Sequence, residues 1–259
     1  LEELGVRTAP IENPVSLHMP HANKLGCLAV DTDRPCTVFL DTDVLVLRPF
    51  EPEVAFPGAL HLVPASRVHH SEATWAKVYG LLDLDVPPPV MVTSVTGRAT
   101  HPYYNSGMVA TRHARELAAS WGECARELRG APRLGDERFN SHDSDQVSLP
   151  PAIRKLGLQV SELDPQWNFP TSRRMWRRRH ELPVVFHYQE PEWLLHNAEV
   201  VAFLRALLQT TPQLRSWLGQ DPRFSAVLVA LDDPAFRCLR GGPAALVRRV
   251  TDALSSVVG

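Results

Sequence analysis

The sequence predicts an α/β fold: a mostly parallel sheet flanked by helices, followed by a helical C-terminal extension. Three observations predict it. The apolar, β-branched run Thr37–Phe50 (TVFLDTDVLVLRPF) reads as a buried strand of such a sheet. Strand-like runs then alternate with helical patterns as far as about residue 195. From Ala198 onward the pattern is helical and amphipathic, with breaks at Pro212, Pro222, Pro234 and Gly241-Gly242. The expected organisation is one domain over residues 1–195 and a helical extension over 196–259.

In chain order, Gly5–Pro10 reads as a short strand and Ile11–His21 as a loop holding Pro14 and Pro20. Ala22–Val30 reads as a short helix carrying Lys24, and the Asp31–Pro35 turn leads into the central strand, which Pro49 ends. Ala59–Pro64 is a second strand and Ala73–Leu82 a helix. Pro87-Pro88-Pro89 separates that helix from the β-branched run Val90–Val95. Tyr103–Thr111 (YYNSGMVAT) opens as a polar turn and continues as an apolar strand. Ala114–Leu128 is the clearest helix, with Leu117, Trp121, Cys124 and Leu128 on one face. Gly130–Asp143 is a polar loop. Leu149, Ile153 and Leu156 keep helical spacing, and Pro150-Pro151 place the start of that helix beside them. Leu158–Leu163 is a strand, Asp164–Pro170 a loop, and Val184–Tyr188 a short strand with a histidine near its end.

Composition narrows the function classes. The chain has 259 residues, enough for one sizeable α/β domain and an appendage. A net charge of −2 argues against nucleic acid or an anionic membrane surface as the partner. No run approaches the roughly 18 apolar residues of a membrane span. Cys27, Cys36, Cys124 and Cys238 are scattered, with no C-x-x-C pair and no zinc spacing, which favours a reducing, cytoplasmic compartment. The chain opens at LEELGV without methionine, and this reads as the end of a helix running into a strand, so a truncated first strand is expected. No P-loop, G-x-G-x-x-G, H-E-x-x-H or G-x-S-x-G motif is present.

The residues that could carry chemistry cluster around the central run. Asp41 and Asp43 are two apart, so in an extended chain both leave one face of the sheet at its carboxyl end, where ligands of α/β sheets collect. Two carboxylates so close call for a hard divalent cation, whereas a solvated turn is the plainer alternative. Asp31/Asp33, Asp83/Asp85 and Asp143/Asp145 share the spacing, but none follows a run that could bury it. Asn105-Ser106-Gly107 offers hydrogen-bonding groups and a glycine for close backbone approach, or is an ordinary turn. Asp145-Gln146 is either a helix cap, with Asp143 as the alternative, or a carboxylate and an amide presented to sugar hydroxyls. His187 is either a core histidine or a third ligand beside two carboxylates, and as a ligand it would favour a transition metal. His69, His70, His101, His142 and His180 read as surface or loop residues. Arg173, Arg174, Arg177, Arg178 and Arg179 around Trp176 form either a solvated face or a lid for phosphates or an anionic acceptor.

Taken in order, Lys24, FLDTDVLVLR at 39–48, YNSGMV at 104–109, SDQ at 144–146, WNF at 167–169 and FHY at 186–188 resemble the GT-A-fold (Rossmann-like) glycosyltransferases, most closely the glycogenin-like family 8 group. The resemblance implies a hexosyltransferase that uses a nucleotide-sugar donor, usually a UDP-sugar, and retains anomeric configuration. Asp41 and Asp43 would be its DxD pair, with His187 completing a Mn2+ (or Mg2+) site. Lys24, Thr42, Asn105, Ser106 and Gly107 would belong to the donor site. Asp145 and Gln146 would act at the transferred sugar or position the acceptor, which could be a glycan, a protein or a small molecule. The sequence departs from the family after the histidine, where His187-Tyr-Gln-Glu190-Pro191-Glu192-Trp193 lacks the usual glycine and phosphate-binding lysine. Its C-terminal helices match nothing in the family, and are candidates for homodimerisation, acceptor recognition or a membrane surface. Two other readings stand beside this one: a degraded transferase that only binds sugar or a partner, and a sugar-phosphate nucleotidyltransferase.

Overall fold

The computed structural model of this protein describes residues 7–15, 20–68, 70–130, 144–170, 183–188 and 190–236. The described elements are, in chain order, α1 (Asn23–Ala29), β1 (Thr37–Leu40), β2 (Val44–Val46), α2 (Pro52–Ala55), β3 (Leu60–Pro64), α3 (Glu72–Leu81), β4 (Met91–Val92), β5 (Ala99–Thr100), β6 (Tyr104–Thr111), α4 (Ala114–Gly130), α5 (Ser144–Lys155), β7 (Val160–Glu162), β8 (Phe169–Pro170), β9 (Val185–His187), α6 (Ala198–Thr210), α7 (Pro212–Leu218) and α8 (Ser225–Asp232). They fall into two compact units, one of Leu1–Asp41 with Phe50–Pro165, the other of Thr42–Pro49 with Gln166–Gly259. The sequence leads one to expect a catalytic domain over residues 1–195 and an extension over 196–259. The helices that it assigns to the extension, α6 to α8, belong to the second unit.

The first unit is built on a four-stranded sheet in the order β1-β6-β3-β7. β6 pairs antiparallel with both β1 and β3, and only β3 and β7 are parallel. The described sheet is therefore mixed rather than mostly parallel. The reason is the connections. Between β3 and β6 the chain passes through α3 and the small antiparallel pair β4–β5 and returns in the opposite direction, whereas α4 and α5 together carry it to β7. Alternating strand and helix patterns look alike in the two cases, because periodicity reports burial and not strand direction.

The predicted central strand is also corrected. Thr37–Phe50 is two short strands in two different sheets, with Asp41-Thr42-Asp43 between them. β1 lies at the edge of the sheet formed by the described strands, is half-buried throughout, and pairs antiparallel with β6. The polar tripeptide, rich in residues that favour turns, interrupts the ladder, so the same-face argument for the two aspartates does not apply. Asn105-Ser106-Gly107 lies inside β6 and not in a turn before it. Residues 7–10 form no strand, and only Met91–Val92 of the run Val90–Val95 is extended. Of the histidines expected on the surface or in loops, His70 and His101 lie outside helices and strands, and both are buried. His70 packs edge-on against Trp75 and Tyr103, and His101 Nδ1 lies 2.6 Å from the Pro87 carbonyl.

The core of this unit centres on Trp75, Tyr79, Tyr103, Leu62, Leu117, Trp121 and Leu149. α4 buries Leu117, Trp121, Cys124 and Leu128, the stripe its spacing predicts. α5 starts at Ser144, six residues before Pro150, and contains both prolines. Each proline removes a backbone donor, so the carbonyls of Gln146 and Val147 lack their usual partners four residues on. α5 ends at Lys155, and Gly157 two residues on has a φ of +63°, which suits glycine. Leu158 N–H donates to Ile153 O at 3.2 Å and Gly157 N–H to Arg154 O at 3.0 Å, closing the helix.

The second unit contains a three-stranded sheet in the order β2-β9-β8. β2 runs antiparallel to β9, with Val44 opposite His187, and β8 runs parallel to it. The expected loop Asp164–Pro170 thus contributes a strand at Phe169–Pro170. Phe169 stacks on Phe186 across the sheet at 6.1 Å. Among the helices, Asn197 caps α6 by accepting from Glu199 N–H and Val200 N–H. Arg205 on α6 donates to the carbonyls of Leu231 and Asp233, covering the C-terminal end of α8.

Replacing Gly157 by alanine forces a Cβ into the left-handed region and should cost about 1–2 kcal/mol. Denaturant unfolding of Gly157→Ala checks this, with Gly130→Ala as a control at a glycine without positive φ. The first midpoint should fall and the second should not.

Candidate functional site

The predicted site residues gather in two clusters, one in each unit. In the first unit the cluster is built around an ammonium group. Lys24 is on α1 and only 6% exposed. α1 is held tightly there, because a Cβ on Gly26 would come 2.7 Å from Glu12 O. Lys24 Nζ lies 2.7 Å from Asp145 Oδ2 and 3.3 Å from Asp41 Oδ1, and donates to Ser106 Oγ at 3.0 Å. Ser106 Oγ in turn donates to Asp145 Oδ2 at 2.7 Å. All three N–H groups of the ammonium thus have a partner.

Each partner is delivered by a different element. Ser106 projects from β6, and the same strand holds the start of the aspartate tripeptide, because Asp41 N–H donates to Gly107 O at 2.8 Å. Asn105 folds back so that its Oδ1 accepts from Gly107 N–H at 2.9 Å. Asp145 sits in the first turn of α5, where the helix dipole favours a carboxylate. Trp121 of α4 fixes that turn by donating its indole N–H to Asp145 O at 2.8 Å. Gln146 is half-buried beside it. Burial alone would lower the Lys24 pKa, but the Asp145 and Asp41 carboxylates outweigh it and hold the pKa above its ordinary value. The stability this gives is present below the unfolded lysine value, about 10.4, and is lost as pH rises through the folded value. Asp145 Oδ1 is buried without a hydrogen-bond partner.

In the second unit the cluster is formed by β2, β9 and the residue before β8. His187, 7% exposed, ends β9. Its Nε2 lies 3.2 Å from Asp43 Oδ2, and its Nδ1 lies 3.0 Å from Asn168 Oδ1. Asp43 is placed by the ladder between β2 and β9, which continues as Tyr188 N–H donates to Asp43 O at 3.0 Å. Thr42 is exposed, and its carbonyl accepts from the Tyr188 hydroxyl at 3.5 Å. Burial, with Asp43 nearby, pushes the Tyr188 phenol above its ordinary pKa, so it stays neutral.

Every predicted site residue is therefore described, and each has a place in one of the two clusters or beside it. Sequence reasoning missed the roles of Trp121 and Asn168. Trp121 reads as plain core on its helical stripe, and Asn168 carried only the signal of lying inside the WNF run. Arg173–Arg179, Asp143, His69, His142, His180 and Cys238 lie outside the described residues. No described helix is long and apolar enough to cross a membrane.

Removing the Lys24 ammonium leaves Asp145 a buried carboxylate without its cation, which typically costs about 3–5 kcal/mol. Lys24→Met should lower stability by that order in urea unfolding. Asp145→Asn added to Lys24→Met should recover part of the loss, because the uncompensated charge is then gone.

Residues 1–157 match the Rhodobacterales glycosyltransferase domain. This span includes Lys24, both aspartates of the tripeptide, Asn105, Ser106, Gly107, Asp145 and Gln146, and stops short of Asn168 and His187. No curated protein and no solved structure matches the chain significantly. The match covers well over half of the 259 residues, and the chain belongs to this family of glycosyltransferases.

Proposed function

We propose that this glycosyltransferase moves a hexose from a nucleotide-sugar, a UDP-sugar in the first instance, to an acceptor hydroxyl with retention of configuration, in a GT-A-type site of the family 8 kind. The observation that carries the reading is the pairing of Asp43 Oδ2 with His187 Nε2 at 3.2 Å in a chain of this family. A carboxylate beside an imidazole is a donor set for a divalent transition metal, and Asp41, two residues upstream of Asp43, supplies a second carboxylate. The ligands assigned are Asp41, Asp43 and His187, and the imidazole favours Mn2+ over Mg2+.

In the reaction the bond between the sugar C1 and the diphosphate oxygen breaks, and its electron pair stays on the diphosphate. The acceptor oxygen bonds to C1 on the face that the diphosphate leaves, and its proton passes to the departing diphosphate. A divalent cation, when bound, supplies Lewis-acid stabilisation of the diphosphate charge. The chain's own groups do the rest. Asn105, Gln146 and the unpartnered Oδ1 of Asp145 are the polar groups assigned to the hydroxyls of the transferred sugar or the acceptor. Lys24 holds Asp145 and Asp41 in place through its two ion pairs, so that these acceptors need no rearrangement at the moment of transfer. The phosphate lysine of the resembled family is absent after His187, with the acidic Glu190 and Glu192 nearby, so the diphosphate must draw its positive charge from elsewhere in this chain.

A ligand that binds only the folded state stabilises it by mass action, about 2.7 kcal/mol at a concentration 100 times Kd. UDP with manganese should raise the melting temperature of the wild type. UDP alone should do so less, and Asp43→Asn should abolish the metal-dependent part. Donor hydrolysis should follow the same pattern. A panel of nucleoside diphosphates that leaves the melting temperature unchanged, with or without manganese, would overturn the transferase site and favour the binding-only reading.

A further inference from the structure

A histidine can ligate a metal through Nε2 only if that nitrogen carries a lone pair, which in the neutral ring puts the proton on Nδ1. In this protein Nδ1 of His187 faces one group, Asn168 Oδ1, at 3.0 Å. An amide oxygen only accepts, so the contact is a hydrogen bond only when Nδ1 is protonated. Asn168 is 1% exposed, and its Nδ2 is buried without a partner, so the oxygen is the atom of this amide that is engaged. The local fold explains the placement. β8 runs parallel to β9 with Phe169 opposite Phe186 and Pro170 opposite His187, and Asn168 immediately precedes β8.

We infer that Asn168 is a positioning residue that fixes His187 in the Nδ1–H tautomer and so readies Nε2 as the metal ligand. The inference rests on the metal reading of the proposed function. The reversed amide would do the opposite: Nδ2 would donate to Nδ1, the proton would sit on Nε2, and His187 would be a donor to Asp43 that cannot ligate through Nε2. The orientation of one buried amide therefore separates a histidine prepared for a metal from one committed to a salt bridge. Outer groups that hold a ligating histidine typically change metal affinity about 10- to 100-fold when removed.

The test uses the full chain and two variants. Asn168→Leu removes the acceptor at similar volume. Asn168→Asp keeps an acceptor oxygen, puts a second oxygen in place of the unpartnered nitrogen and adds a negative charge. Proton–nitrogen correlation spectra of the metal-free proteins read the tautomer of His187, and calorimetric titration with MnCl2 reads affinity without any turnover. At a pH where the ring carries one proton, the wild type and Asn168→Asp should show the Nδ1–H form. Asn168→Leu should shift toward Nε2–H and bind manganese about 10- to 100-fold more weakly. An Nε2–H ring in the metal-free wild type would overturn the inference, as would equal affinity and the same tautomer in wild type and Asn168→Leu. Those outcomes leave the metal site standing if manganese still binds. A wild type that shows the Nδ1–H form but binds no manganese would overturn the metal reading, and this role of Asn168 with it.

Discussion

A single buried ammonium, Lys24, holds together four elements of the first unit. An isolated charge at 6% exposure would be intolerable, and burying it is possible only because Asp145, Asp41 and Ser106 meet it. The dependence is mutual. Asp145 is itself buried, lies 2.7 Å from Lys24 Nζ and sits in the first turn of α5. Elements far apart in the chain, α1, the end of β1, β6 and α5, are thereby locked into one arrangement. A hydrophobic cluster of the same volume would tolerate small slips, whereas a charge-assisted network has one good geometry. Such precision is what a site needs if its polar groups must already be in position when a sugar arrives.

The tripeptide Asp41-Thr42-Asp43 is the second constraint. Asp41 belongs to the first unit, anchored to Gly107 and Lys24, whereas Thr42 and Asp43 belong to the second, anchored to Tyr188 and His187. Each carboxylate is thus held by its own sheet. A long single strand would leave the two aspartates to one ladder. The break into β1 and β2 gives each its own backbone hydrogen bond and its own charged or imidazole neighbour.

The family match ends at residue 157, before Asn168 and His187. The matched span contains the whole lysine-centred network, whereas Asn168, His187 and the helices α6 to α8 lie beyond it. Arg205 covering the end of α8 and Asn197 capping α6 show that these helices form an ordered body with satisfied termini.

Much of this was legible in the sequence. The helix at Ala114–Gly130, the strand at Leu60–Pro64, the short helix carrying Lys24 and the strand ending at His187 follow from periodicity and turn residues, which act locally. The candidate site residues were legible because Asp, Asn, Ser and His beside apolar runs are chemically conspicuous. Strand direction was not legible, since antiparallel and parallel pairing bury the same residues. The break at Asp41–Asp43 was hidden because apolar runs on both sides look like one strand until each finds a different partner. The start of α5 was misplaced because Pro150 and Pro151 are usual at a helix start, and here Trp121 holds the first turn six residues earlier. The sequence by itself determined which residues could do chemistry and which stretches fold locally. Only the tertiary structure decided which carboxylate meets the lysine and which meets the histidine, because those pairings depend on contacts between residues far apart in the chain.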